Sequence, residues 1–189
     1  LLETSRLYRR IRNLPLTLLP VGQLIPYEVP KYDQRIVLEA LHNCIAHQDY
    51  SRGERIVVEE WPQRLALHNA GGFVDGKPED YFGGERTPSR YRNPWLATAM
   101  DEIGMIDKAG FGISDMVRIQ RERFLPLPDY RGSTIAHTVF NVIGQSLSQD
   151  YSRLLMAQPD LDLATVLMLD LLQKGDALAP EQRRHLRSL

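Results

Sequence analysis

The segment Glu39-Ala-Leu-His-Asn-Cys-Ile-Ala-His-Gln-Asp-Tyr50 divides, as an α-helix, into two neighbouring strips. Glu39, Asn43 and His47 recur every fourth residue, so they stack along a polar strip, one turn above another. The strip beside it has the spacing of a buried helix face and consists of Val37, Ala40, Leu41, Cys44 and Ile45. Polar groups next to a buried stripe indicate the edge of a cleft; the alternative is an ordinary solvated helix face.

The composition is that of an ordinary globular protein. The 189 residues are 43% hydrophobic and 25% charged, which allows one domain, or one domain and part of another. No run approaches the roughly 18 apolar residues of a membrane span, so we expect a soluble, cytoplasmic protein without a membrane partner. The chain opens without Met and without a signal pattern, so we expect it to be a piece of a longer polypeptide.

Several kinds of site are not indicated by the sequence. The single cysteine, Cys44, lies on the apolar strip, which fits a small buried side chain in a reducing compartment better than a nucleophile. No His, Cys and Asp arrangement has zinc spacing, and His42 and His68 are expected to be incidental surface or strand residues. No Gly-x-x-x-x-Gly-Lys-Ser/Thr is present, which excludes a P-loop protein.

Helix and strand signals alternate in the first half of the chain. Asp33 is a suitable N-cap for the helix over residues 34–47. The stretches before and after this helix contain β-branched residues and end in proline or turn residues, a pattern that predicts short strands. The predicted elements are a helical lead-in over 1–13, an extended or edge strand within the proline-rich 14–30, and two strands over 54–60 and 64–69 joined as a hairpin at Trp61-Pro-Gln63.

A glycine pair and a long polar loop follow the second strand of this hairpin. Asn69-Ala-Gly-Gly72 ends the strand, and paired glycines let a backbone approach a ligand or turn sharply. Residues 73–92 are rich in glycine and proline, with at most one helical turn near 78–82 and few apolar anchors. Loops of this length are often functional lids, so we expect a mobile lid here.

The remainder is predicted to be helical except for one strand. Asn93 and Pro94 begin a helix that ends at Ile103. Gly110-Phe-Gly112 opens another helix that ends near residue 123; glycines at such a start either offer backbone N–H groups to an anion or only relieve crowding. Residues 134–142 form a strand that closes the sheet, and the chain from about 146 is helical.

Five short motifs in this order resemble the GHKL nucleotide-binding fold of gyrase, MutL and histidine kinases. The resemblance is closer to the ATP-binding module of bacterial RecG-like transcriptional regulators, where it follows a Schlafen-type AlbA domain. It covers about residues 14–143, and the joint occurrence of the motifs is more specific than any one of them. They read Glu39 with Asn43, His47-Gln-Asp-Tyr50, Asn69-Ala-Gly-Gly72, Arg92-Asn-Pro94 and Gly110-Phe-Gly-Ile113.

The resemblance implies an α/β fold, a two-layer sandwich with helices on one face of a mixed β-sheet. Residues 1–145 would be the GHKL-like nucleotide-binding domain. Residues 146–189 would begin a helical, winged-helix-like unit. The implied function is an ATP- and Mg²⁺-binding regulatory module of a DNA-associated regulator, at most a weak ATPase, with DNA contacted through flanking domains and a possible homodimer.

The resemblance also assigns roles to single residues. Asn43 would supply an amide oxygen to Mg²⁺, which needs only one or two protein ligands beside phosphates and water. Glu39 would orient or deprotonate the attacking water. The residues that would contact the nucleotide are Asn43, Asn69, Gly71, Gly72, Arg92, Gly110 and Gly112, with Arg90 as an alternative to Arg92. His47 and Asp49 would fix the end of the helix.

Two departures from the family pattern leave alternatives open. Asn69 stands where the better-known enzymes have an aspartate, so its uncharged amide oxygen must accept the hydrogen bond from adenine. Gln48 and Ala70 replace an arginine and a proline of the closer family. The main alternative is a degenerate scaffold that binds no nucleotide and serves for dimerisation or for positioning DNA-binding domains. A weaker one is direct nucleic-acid binding through the loop arginines and Arg118, Arg121 and Arg123.

Overall fold

A computed structural model describes residues 2–18, 26–106 and 110–187. Within these ranges the helices are α1 (Leu2–Tyr8), α2 (Gln34–His47), α3 (Pro94–Glu102), α4 (Gly112–Glu122), α5 (Gln149–Ala157), α6 (Leu163–Gln173) and α7 (Pro180–Arg187). The strands are β1 (Pro15–Leu18), β2 (Tyr27–Pro30), β3 (Val57–Glu60), β4 (Arg64–Ala70) and β5 (His137–Ile143). The predicted α/β class is confirmed. None of the described helices has the length and apolar character needed to cross a membrane.

Helix α2 is the central helix of the core, and its predicted bounds and cap are confirmed. The carboxylate of Asp33 accepts a hydrogen bond from the backbone N–H of Arg35 at 2.8 Å, which satisfies a donor that the first helical turn leaves free. The predicted apolar strip is buried except for the half-buried Ile45, and Val37 and Ala40 are at most 2% exposed. This strip packs on the inner face of the main sheet, together with Met116 and Ile119 of α4.

The main sheet has the order β3-β4-β5 and pairs antiparallel throughout. The predicted hairpin is confirmed by a hydrogen bond from the N–H of Trp61 to the carbonyl of Arg64 at 2.8 Å. The expected mixed sheet is found as an antiparallel one, because the chain returns to β4 at the end where it left: His137 pairs with Ala70. Leu65 and Leu67, both fully buried, pair with Val142 and Phe140 and form the sheet's contribution to the core.

The proline-rich segment forms a second, smaller sheet. Its strands β1 and β2 pair antiparallel, with Leu16 opposite Val29. Leu18 and Val29 pack against Leu125, which follows α4. The part of the predicted strand in residues 19–25 lies outside the described residues.

The C-terminal helices pack against α4 and the segment that follows it. Tyr151 of α5 and Val166 of α6 share an apolar cluster with Val117 and Leu127. Next to this cluster the ammonium of Lys174, whose side chain is 4% exposed, lies 2.8 Å from Asp170 and 3.0 Å from Asp129. The domain boundary at residue 145 and the winged-helix character of residues 146–189 stay predictions.

Truncation of Leu67 tests this account of the core. Leu67→Ala should lower the free energy of unfolding by about 2–5 kcal/mol, because it removes a fully buried side chain between α2 and β5. Ile135→Ala is the control, since Ile135 is 98% exposed and its truncation should change stability by less than about 0.5 kcal/mol. Chemical denaturation measures both; equal losses would contradict the assigned core.

Candidate functional site

A cleft of about 900 Å³, counted to its open mouth, lies between α2, the end of β4 and the start of α4. The loop over residues 73–92 forms its fourth side. Six residues predicted from the sequence line it together: Glu39, Asn43, Asn69, Gly72, Gly110 and Gly112. The polar strip of α2 is therefore a cleft wall and not a solvated helix face.

Glu39 and Asn43 form one polar pair on α2. The amide nitrogen of Asn43 donates a hydrogen bond to Oε1 of Glu39 at 3.1 Å. The amide oxygen of Asn43 is thus its remaining polar atom, and it is the kind of ligand that Mg²⁺ accepts. The described residues contain no group of three or more His, Cys, Asp or Glu side chains that could hold a metal ion. Because Mg²⁺ needs few protein ligands beside phosphates and water, Asn43 next to Glu39 still fits it.

Gly112, the first residue of α4, lies directly against the carboxylate of Glu39. A Cβ atom at Gly112 would be 1.9 Å from Oε1 of Glu39, so no larger residue fits unless the carboxylate moves. Gly110 has a φ of 86°, and a Cβ there would meet the ring of Pro88 at 2.3 Å. The two glycines therefore bring the start of α4 close to both α2 and the loop.

Asn69 lines the cleft at the end of β4. The residue is only 3% exposed, and its amide nitrogen donates to the carbonyl of Ala70 at 2.9 Å. Thr138 lies opposite Asn69 in β5, lines the same cleft, and donates its hydroxyl to the carbonyl of Gly71 at 2.8 Å. The sequence analysis missed Thr138, whose place follows only from the pairing of β4 with β5.

Arg92 lies behind the strand end and does not line the cleft. Its Nη2 donates to the carbonyl of Gly72 at 2.9 Å, and its Nη1 is 3.7 Å from the carboxylate of Asp49. Gly71 has a φ of 95°, and a Cβ there would lie 2.8 Å from the guanidinium of Arg92. Arg92 therefore packs against Gly71 and holds the backbone at the end of β4. This role differs from the nucleotide contacts predicted for the two residues.

Arg90 is the cation that lines the cleft among the described residues. The other charged lining groups are the carboxylates of Glu39 and Asp75. Asp75 is held by other donors: the N–H of Ser89 at 2.8 Å, the hydroxyl of Ser89 at 2.7 Å, and Arg86 at 2.7 Å. These donors, those of Ser89 above all, lower the pKa of Asp75 to about 2.

The loop over residues 73–92 has more anchors than its composition indicates. Tyr81 and Phe82 are both buried, at 3% and 8% exposure. The hydroxyl of Tyr81 donates to the carbonyl of Asp75 at 2.7 Å, and Arg86 bridges Asp75 and Asp80. The expectation of few apolar anchors is therefore wrong.

Aromatic side chains give the cleft an apolar interior. His47 stacks on Tyr91 with 5.5 Å between ring centroids, and burial, with Arg92 nearby, lowers the pKa of His47. Tyr130 makes edge-to-face contacts with Phe73 at 5.3 Å and with Phe140 at 5.5 Å. The sequence analysis placed His47 at the cleft edge but did not identify Tyr91, Phe73, Tyr130 and Phe140 as cleft residues.

The residues that depart from the family pattern have structural partners. Gln48 is 1% exposed; its amide accepts from the N–H of Ala70 at 2.9 Å and donates to the carbonyl of Glu54 at 2.8 Å.

His42 is 5% exposed, so it is not a surface residue. Its Nδ1 donates to the carbonyl of Met105 at 2.7 Å, which ties α2 to the turn after α3.

Three of the arginines considered for direct nucleic-acid binding, those at residues 118, 121 and 123, are engaged within the fold. Arg118 pairs with Asp115 at 2.8 Å and with Glu122 at 3.0 Å. Arg121 donates to the carbonyl of Pro159 at 2.7 Å, and Arg123 is 6% exposed. These arginines therefore offer few free cations to a nucleic acid.

Part of the chain matches a known family. Residues 53–142 match the family model described as "Putative ATP-dependent DNA helicase recG C-terminal". The matched segment is ATPase-like. It holds Asn69, the loop and the start of α4, whereas Glu39 and Asn43 precede it. No curated protein sequence matches the chain.

The fold also resembles a solved structure, the DIP2311 protein from Corynebacterium diphtheriae, with a TM-score of 0.60 and 22% sequence identity. The similarity covers 89% of this chain and 34% of that one, so the chain spans about a third of its relative's length. At this identity the likeness shows the fold alone.

The contact between Gly112 and Glu39 can be tested with a double-mutant cycle. Gly112→Ala should lower the free energy of unfolding by about 1 kcal/mol or less, because the added methyl group displaces only the carboxylate end of the flexible Glu39 side chain. In a Glu39→Ala background the same change should have little effect. Gly83→Ala is the control, since a Cβ there meets its nearest atom at an ordinary 3.9 Å. A penalty that persists without Glu39 would contradict the assigned contact.

The pH dependence of the loop follows from the lowered pKa of Asp75. The charged carboxylate stabilises the folded loop fully above its unfolded pKa of 3.8, and this stabilisation is lost as the pH falls toward about 2. Asp75→Asn should therefore lower the melting temperature near neutral pH, and the difference from the unmodified protein should vanish near pH 2. A difference that stays constant over this range would show that the Asp75 charge does not hold the loop.

Proposed function

We propose that this cleft binds ATP with Mg²⁺, as the nucleotide-binding module of a DNA-associated transcriptional regulator, with slow or absent hydrolysis. The observation that carries the proposal is the convergence of three separate chain segments on one cleft. They are the pair Glu39 and Asn43, the strand end at Asn69–Gly72, and the helix start at Gly110–Gly112. The ATPase-like family match covers two of the three.

The adenine would lie at the end of β4. The amino group of adenine is a donor, and Asn69 offers an acceptor because its own amide nitrogen is taken by Ala70. The hydroxyl of Thr138 lies on the facing strand. Phe140 and Tyr130 supply apolar surface of the kind that planar bases need.

The phosphates would lie at the start of α4. Phe111, at the N-cap position, has no side-chain oxygen for the first-turn N–H groups, so an anion can accept from them. The absence of a Cβ at Gly110 and Gly112 keeps this backbone accessible. Arg90 at the cleft can neutralise phosphate charge, a role that the packed Arg92 fits less well.

Mg²⁺ would be held by the amide oxygen of Asn43 and by phosphate oxygens. The bound ion would neutralise phosphate charge during transfer to water. Glu39 is the carboxylate closest to it along α2 and can hold the attacking water. Its Oε1 already accepts a hydrogen bond from Asn43, so this oxygen is engaged before a water arrives. This supports slow hydrolysis over fast hydrolysis.

One observation favours the alternative of a scaffold without nucleotide. The carboxylate of Glu39 rests against Gly112, so a negative charge already lies at the start of α4, where phosphate would bind. In this function the module would serve for dimerisation or for positioning flanking DNA-binding domains. In the nucleotide-binding function, Glu39 must move away from the start of α4 when phosphate binds; in the scaffold function, it stays there.

Calorimetric titration with a non-hydrolysable ATP analogue, with and without Mg²⁺, tests the proposal. Saturable binding that strengthens with Mg²⁺ is the expected result, and the matching GTP analogue should bind more weakly because it lacks the adenine amino group. Absence of binding by either nucleotide would favour the scaffold. Equal binding of both would contradict the role of Asn69.

Removal of the Asn43 amide tests the metal site. Asn43→Ala should weaken binding of the Mg²⁺–ATP analogue by roughly 1.5–3 kcal/mol, the range for a lost bond to a charged group. Binding measured in the presence of a chelator should change much less. Equal losses in both conditions would mean that Asn43 does not bind the metal.

Glu39→Gln separates binding from turnover. The variant keeps the shape and the bond from Asn43 but loses the basic oxygen, so turnover should fall roughly 100- to 10,000-fold while binding persists. Glu79→Gln, an exposed carboxylate of the loop, is the control and should hydrolyse ATP as the unmodified protein does. If Glu39→Gln also hydrolyses normally, Glu39 is not the base. If the unmodified protein shows no turnover, Glu39 has only a structural or binding role.

A further inference from the structure

Basic residues from three separate parts of the chain meet at the turn of the β3–β4 hairpin. The backbone N–H of Arg12 donates to the carboxylate of Glu60 at 2.9 Å. The ammonium of Lys31 donates to the carbonyl of Pro62 at 2.6 Å. The guanidinium of Arg64 lies over the indole of Trp61, 5.8 Å from the ring centroid. We call the surface formed by Arg12, Lys31, Trp61 and Arg64 the hairpin face.

The positive charge of the hairpin face is largely uncompensated. Arg12 and Arg64 are exposed, as are Arg9 and Arg10, which shortly precede Arg12 in the chain. Within the described residues, none of these four arginines forms a salt bridge, and Glu60 is the acidic group in contact with the face. The chain as a whole has a net charge of −1, so this is a local excess of cations.

The hairpin face also carries an accessible aromatic ring. Trp61 is 51% exposed, although tryptophan is among the largest apolar side chains. Arg64 covers part of the indole and leaves the rest open to solvent. An exposed indole beside basic side chains that form no salt bridge within the described residues suits a partner that combines negative charge with flat, unstacked rings.

We propose that the hairpin face binds single-stranded nucleic acid, with an unpaired base stacked on Trp61 and phosphates held by Arg12, Lys31 and Arg64. Duplex DNA fits the face less well, because its bases are already stacked on one another and offer only phosphates to it. Arg9 and Arg10, both exposed and close to Arg12 in the chain, add further positive charge.

This binding does not depend on the proposed nucleotide site. The hairpin face lies at the Arg64 end of β4, and the cleft lies at the Ala70 end, a strand length of about 20 Å away. The two proposals can therefore fail separately.

Tryptophan fluorescence measures the proposed contact. The chain has two tryptophans, so Trp95→Phe leaves Trp61 as its sole reporter. Titration of this variant with a short oligothymidylate should quench the Trp61 emission at low salt, and added salt should reverse the quenching. The effect should be the same with and without ATP analogue.

Charge removal on and off the face identifies the binding surface. The combined change Arg12→Gln, Lys31→Gln and Arg64→Gln should reduce the slope of log affinity against log salt by about 2, since each lost phosphate contact removes about 0.7. The control is Arg153→Gln, Arg184→Gln and Arg187→Gln, three exposed arginines of the C-terminal helices. In the protein with Trp95 intact, Trp61→Ala should weaken binding about tenfold, measured by anisotropy of a labelled oligonucleotide.

Several outcomes would overturn the proposal. Absence of quenching at low salt would do so, as would equal losses in the two triple variants when both remain folded by circular dichroism. Binding of a duplex as tightly as the single strand would exclude base stacking. A blue shift of Trp61 with phosphatidylserine vesicles, without any response to oligothymidylate, would assign the face to an anionic membrane instead.

Discussion

Two hydrogen bonds between the end of α2 and the last residue of β4 fix the geometry of the cleft. The side chain of Gln48 accepts from the N–H of Ala70, and the N–H of Asp49 donates to the carbonyl of Ala70 at 2.8 Å. The amide of Asn93 joins the same region, donating to the carbonyl of Gln48 at 2.8 Å and to that of Ala46 at 3.0 Å. These bonds join the end of α2 to the end of β4 and to the start of α3. They form because backbone groups at the ends of these elements need hydrogen-bond partners outside their own helix or strand.

This junction explains why the polar strip of α2 and the end of β4 face the same space. A helix presents every fourth residue along one side, so once its C-terminal end is attached to Ala70, the positions of His47, Asn43 and Glu39 follow in order along the cleft. Gly71 and Gly112 have no Cβ atom, and this absence leaves space for neighbouring side chains. One leaves room for the guanidinium of Arg92, and the other leaves room for the carboxylate of Glu39.

The parts of the structure that could be predicted from sequence depend on short-range signals. The cap at Asp33, the apolar strip of α2 and the hairpin at Trp61 are set by residues a few positions apart, and the motif order added the cleft wall, the strand end and the helix start. Thr138 reaches the cleft only through its pairing with Asn69, far away in the chain. The choice between Arg90 and Arg92 depends on the packing behind Gly71, and the burial of His42 depends on Met105 and Thr4, so no local pattern reveals them.

The lone cysteine gives the cleft a built-in chemical probe. Cys44 lines the cleft wall but is only 4% exposed, and burial raises the pKa of its thiol to about 12. The thiolate is the form of cysteine that reacts with alkylating reagents. In this structure the Cys44 thiol is therefore protected in two ways, because reagents cannot reach it and because it stays protonated. The alkylation rate of the unmodified chain is therefore a measure of how often α2, the loop and α4 separate, and no engineered label is needed to follow it.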